Sequence, residues 1–74
     1  MKNTKIAERI KELRQVNELT QAEFGAKIGV SQDTISLWEQ GKSIPAAEFI
    51  ISIVETFRSS DPALSSDYLL GIID

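Results

Sequence analysis

The stretch Gln32 to Gln40 reads QDTISLWEQ, and its residue types are the ones in this chain best suited to chemistry. Wound at about 100° per residue from Gln32, it places Ile35 and Trp38 near about 300° and 240°, and Ser36, Gln40, Asp33 and Leu37 between about 40° and 140°. The apolar pair therefore points inward. The outward face carries amide, hydroxyl and carboxylate groups and one aliphatic side chain. These match the edges of DNA bases: glutamine with adenine, carboxylate with the cytosine amine, aliphatic carbon with the thymine methyl. A solvated surface helix looks the same, and for an isolated short helix that is the commoner reading. The residues upstream decide between the two.

Upstream, Thr20 and Glu23 form a capping box that starts a helix over about Gln21 to Ile28. Gly25 in its middle costs about 1 kcal/mol relative to alanine, a cost offset if the next helix approaches closely over that position. Gly29 supplies a positive-φ stop. Val30 enters the core, Ser31 caps the next helix, Gln32 to Gln40, and Gly41 ends it. With Phe24, Ile28, Val30, Ile35 and Trp38 as its apolar positions, this is the pattern of a helix-turn-helix.

The rest of the chain supplies a scaffold. Asn3 or Thr4 can cap a first helix that runs to about Val16, with Ile6, Ala7, Ile10 and Leu13 on one face. Lys5, Arg9 and Lys11 read as solvated charges. Asn17 and Glu18 end this helix, and Asn17 is the residue there that best tolerates a left-handed backbone; Leu19 then turns into the core. Past Lys42 and Ser43, Pro45 is expected in the first turn of a fourth helix, PAAEFIISIVETF. Ile50, Ile53, Val54 and Phe57 share its core face, leaving Phe49 or Ile51 for another surface. The Ser59 to Pro62 stretch breaks the pattern. A short last helix is expected within about Asp61 to Leu70, capped by Asp61, Ser65 or Ser66. Ile72 and Ile73 either seal the core or meet a partner chain.

Inventory narrows the function. A chain of 74 residues allows one domain, 1–74, near the lower limit for a single core. No cysteine or histidine is present, which removes disulfides, the usual zinc sites and the histidine-dependent nucleophile arrangements. No metal, cofactor or catalytic residue is expected, and the chain does not read as an enzyme. No apolar run approaches the roughly 20 residues a membrane span needs, so a cytoplasmic protein is expected. The net charge of −3 is uneven, with seven Lys/Arg against six Asp/Glu in residues 1–43 and one against five thereafter.

The segment LTQAEFGAKIGVSQDTISLWEQGKSIP, Leu19 to Pro45, resembles the helix-turn-helix domain of the phage repressor and Cro family, and SSDYLLG, Ser65 to Gly71, looks like that family's last helix. The resemblance implies an all-α, compact five-helix lambda-repressor-like DNA-binding domain with the helix-turn-helix in helices 2 and 3, and with the third helix in the major groove. It makes Gln32, Asp33, Ser36 and Leu37 the base-reading residues. Gln21, Thr34, Gln40, Lys42 and Ser43 are implied to contact or position the phosphates, Gln21 often bonding the glutamine at Gln32. Arg14 and Glu39 match a salt bridge between the first and third helices. Glu18 departs from the Gly or Asn common at its position, and the connection from Arg58 to Leu64 is longer than usual.

Together these readings imply a transcriptional repressor that binds double-stranded operator DNA as a homodimer on half-sites about 34 Å apart. The competing class is a protein-interaction module, an antitoxin or adaptor whose protein partner meets the acidic C-terminal part. Asp33 bears on the first reading, because a carboxylate in the groove repels phosphate unless it meets a donor. Asp33→Asn is expected to raise affinity for scrambled duplexes more than for specific ones. An unchanged ratio between the two would remove that role.

Overall fold

Four runs of residues with apolar positions every third or fourth place become four helices. The computed structural model describes residues 4–58, 64, 65, 68 and 69. The helices are α1 (Thr4–Val16), α2 (Gln21–Ile28), α3 (Gln32–Glu39) and α4 (Ala47–Phe57). Among the described residues there is no strand, and no helix is long and apolar enough to cross a membrane.

Each apolar stripe is buried. Ile6, Ala7, Ile10 and Leu13 of α1 meet Phe24 and Ile28 of α2, Ile35 and Trp38 of α3, and Ile50, Ile53, Val54 and Phe57 of α4 in one core. The Phe24 and Phe57 rings stack with centroids 4.9 Å apart, and Trp38 meets Phe49 at 5.7 Å. Phe49 is thus part of the core margin, and Ile51 is the large hydrophobic residue of α4 left exposed. Leu19 and Val30 are half-buried against the same cluster.

Among the described residues four helices are seen where five were expected. The expected fifth, within Asp61 to Leu70, falls mostly outside the described residues, as do Asp61 and Ser66 as its caps and Ile72 and Ile73 beyond it. Of that segment Leu64 and Leu69 are buried in the core, Tyr68 and Leu69 are helical, and the Ser65 hydroxyl accepts from the Tyr68 N–H at 3.1 Å. Arg9, read as solvated, instead sets its guanidinium 4.1 Å from the Tyr68 ring centroid and donates to the Tyr68 carbonyl.

Helix ends also differ from expectation. Thr4 is already inside α1, and Asn3 lies outside the described residues. Pro45 is buried but precedes α4, whose cap is Ala46 in an extended conformation with no side-chain hydrogen bond. At the end of α1 the left-handed residue is Glu18, at φ 59°, and not Asn17. There the Leu19 N–H bonds the Arg14 carbonyl and the Glu18 N–H the Gln15 carbonyl, a Schellman pattern that places its positive φ one residue past the cap. Asn17 is the cap itself, and its side-chain amide donates to the Leu13 carbonyl at 2.8 Å.

A left-handed non-glycine costs about 1–2 kcal/mol, and a carboxylate at a helix C-terminus opposes the helix dipole. The exposed Glu18 side chain has no hydrogen-bond partner among the described residues. Glu18→Gly is expected to raise stability by about 0.5–1 kcal/mol, after the larger entropy of glycine in the unfolded chain is subtracted. Urea unfolding measures this, and a lower midpoint would contradict the backbone account.

Candidate nucleic-acid interface

The site is built from the turn between α2 and α3. Thr20 accepts from the Glu23 N–H and Glu23 reaches back to the Thr20 N–H at 2.9 Å, completing the expected capping box. Gly29 stands at φ 85°, and the Gly25 carbonyl accepts from both Gly29 and Val30. A Cβ on Gly25 would lie 2.5 Å from the Val30 carbonyl oxygen and 3.3 Å from Ile35 Cγ1. The crowding expected at Gly25 is therefore real, but its nearest source is the backbone of the turn, with α3 contributing through Ile35.

Ser31 caps α3 by accepting from the Thr34 N–H at 3.2 Å, and the Ser31 and Thr34 hydroxyls are 3.0 Å apart. At its other end α3 stops at Glu39, so Gln40, expected as its last residue, is the cap. Gly41 follows at φ 76°, and the N–H groups of Gly41 and Lys42 bond the carbonyls of Trp38 and Leu37. Ile35 and Trp38 are buried while Gln32, Asp33, Leu37 and Gln40 are exposed and Ser36 and Thr34 half-buried. One face of α3 holds the helix in place and another is free to meet a partner.

That outer face is partly organised. Gln40 Nε2 donates to Ser36 Oγ at 2.7 Å, which leaves the Ser36 hydroxyl proton for an outward acceptor. The Gln32 side chain has no hydrogen bond among the described residues. Asp33 lies in the first turn of α3, where a carboxylate is favoured by the unpaired N–H groups of the helix start. Lys42 is exposed and Ser43 half-buried in the loop after α3.

Behind the face, Arg14 and Glu39 form a bidentate pair: Nε donates to Oε2 at 2.7 Å and Nη2 to Oε1 at 3.0 Å. Arg14 Nη1 also donates to the Leu19 carbonyl at 3.0 Å. The pair ties α1 to the end of α3 with side-chain exposures of only 15% and 5%. The hydrogen bond to Glu39 raises the Arg14 pKa above its usual value; burial opposes this and the attraction of the carboxylate adds to it. Because that titration lies far above neutrality, the arginine stays charged and the pair adds no pH dependence near neutrality through it.

Gln21 is where the arrangement departs most from what the sequence implied. Its Nε2 donates to Glu39 Oε1 at 3.2 Å and not to Gln32. No local pattern announces this contact, because it joins residues 18 positions apart.

Two short helices set by a glycine turn, with a polar face on the second and a partly buried ion pair behind it, define a helix-turn-helix domain of the DNA-binding type. A family profile described as Helix-turn-helix matches residues 10–64, and the chain belongs to that family, in its phage repressor and Cro-like form. The chain is 38% identical over 55 residues to the antitoxin PezA of Streptococcus pneumoniae, a match covering 74% of this chain and 35% of that protein, so it spans about a third of the antitoxin's length. Its fold is similar to that of the P22 c2 repressor protein, solved in complex with synthetic operator 9T in the presence of Tl+. The TM-score is 0.75 and the identity 31%, over 86% of this chain and 89% of that one.

Removing Glu39 leaves the Arg14 guanidinium partly buried without its counter-charge. Glu39→Ala is expected to cost about 2–3 kcal/mol in denaturant unfolding, less than a fully buried pair because Arg14 keeps the Leu19 carbonyl and some solvent. A loss below about 0.5 kcal/mol, the range of an exposed pair, would contradict a structural role.

Proposed function

We propose that the chain is a sequence-specific double-stranded DNA-binding regulator, a repressor that binds operator half-sites as a homodimer with α3 in the major groove. The observation that carries this reading is the division of α3 into a buried apolar face and an exposed face of Gln32, Asp33, Leu37 and Gln40. It is supported by the likeness to a repressor solved with its operator. Gln32, Asp33, Ser36 and Leu37 read bases in this account. Gln21, Thr34, Gln40, Lys42 and Ser43 set the register on the phosphates.

In the same account residues 1–74 form one domain, completed by a fifth helix for which Ser65 acts as cap, and the protein works in the cytoplasm. Dimerisation follows from electrostatics. Few cations border the face, so one copy neutralises few phosphates, and joining two copies raises affinity through effective concentration. No step of chemistry on the DNA is involved.

A second reading is favoured by the identity to an antitoxin and by the acidic balance beyond residue 43. There the scaffold serves a protein partner. Salt separates the two. For DNA recognition, log affinity falls against log salt with a slope of about −0.9 per phosphate neutralised, and Lys42→Ala flattens that slope by about one for each copy bound. A response flat in salt, with no change on removing Lys42, would favour the protein-partner reading.

A further inference from the structure

Gln21 opens α2 and is half-buried. The Glu39 oxygen that accepts its amide at 3.2 Å also accepts Arg14 Nη2 at 3.0 Å. One carboxylate therefore joins the end of α1, the start of α2 and the end of α3. A side-chain amide whose nitrogen is committed to a carboxylate has a fixed sense, since reversing it would set carbonyl oxygen against carboxylate oxygen. Gln32, on the far side of the turn at the start of α3, is exposed and its side chain has no hydrogen bond among the described residues.

We propose that Gln21 is a positioning residue that, through Glu39, locks the start of α2 to the end of α3, and that it does not brace Gln32. One N–H of its amide is spent on this lock, and the other remains for an outward acceptor. Gln32 meets a base with its amide unconstrained, so its orientation is set by the base and not by the protein. Discrimination at that base is then independent of Gln21, whereas the tilt of α3, on which every contact depends, is not. The consequence for base reading rests on the DNA-binding function proposed above, but the lock itself does not.

The test is a pair of double-mutant cycles read by unfolding of the full chain. Gln21→Ala is expected to lower the folded-to-unfolded ratio by about fivefold, a charged hydrogen bond discounted for partial exposure. In a Glu39→Gln background that loss shrinks, and in a Gln32→Ala background it persists in full. Gln21→Lys, which keeps a donor towards Glu39, restores most of the stability. Duplexes selected from a random pool by the unaltered chain then lose affinity for Gln21→Ala by the same factor whichever base is varied. A loss unchanged in Glu39→Gln, one that disappears in Gln32→Ala, or an affinity loss confined to one base overturns the proposal. If no duplex is selected at any salt, the DNA-binding reading fails, and the unfolding cycles still decide the role of Gln21.

Discussion

The arrangement depends on a backbone-to-backbone approach at Gly25. Its carbonyl takes the N–H groups of both Gly29 and Val30, which folds the turn back over the end of α2 and brings the Val30 carbonyl against the Gly25 Cα. At 2.5 Å from that oxygen a Cβ has no room, and the atom it would strike is backbone, which cannot swing aside as a side chain can. At the turn, the approach of α3 to α2 is thus limited by main-chain contact and by the Ile35 side chain packed on the same glycine. None of the outward residues of α3 contributes to that limit. Gln32, Asp33 and Leu37 can change without the helix losing its seat, which suits a family in which one scaffold reads many sequences.

The ion pair of Arg14 and Glu39 complements this constraint from the other end of α3. Gly25 fixes the start of the helix by exclusion, and Glu39 fixes its end by attraction, taking bonds from Arg14 and Gln21 together. Both charges sit behind the exposed face of α3, where they neutralise each other, while Asp33 and Lys42 are exposed to solvent. That matters in a chain of net charge −3, whose attraction to a polyanion has to come from local placement of cations and not from overall balance.

Local features were legible in the residues. The Thr20 to Glu23 box, the Ser31 cap, the left-handed Gly29 and the inward Ile35 and Trp38 each depend on residues three or four apart, and each formed as its chemistry dictates. The end of α1 was misjudged by one residue because propensity favours Asn17 for a left-handed backbone, while the Schellman bonding places that backbone at Glu18. Pro45 suits a first helical turn and yet stands before α4, where its ring is buried. Partnerships across the chain were less legible, and that of Arg14 with Glu39 came only from the family resemblance. Nothing near Gln21 points to Glu39, and nothing near Arg9 points to Tyr68.

That last contact has a kinetic consequence. Arg9 and Tyr68 are 59 residues apart, whereas the turn joining α2 and α3 closes over a handful. Contacts of short sequence separation form before those that require a long loop to close, so the turn between α2 and α3 closes ahead of the contact that Arg9 makes with Tyr68. The local turn and the most distant contact of this small molecule thus stand at opposite ends of that order.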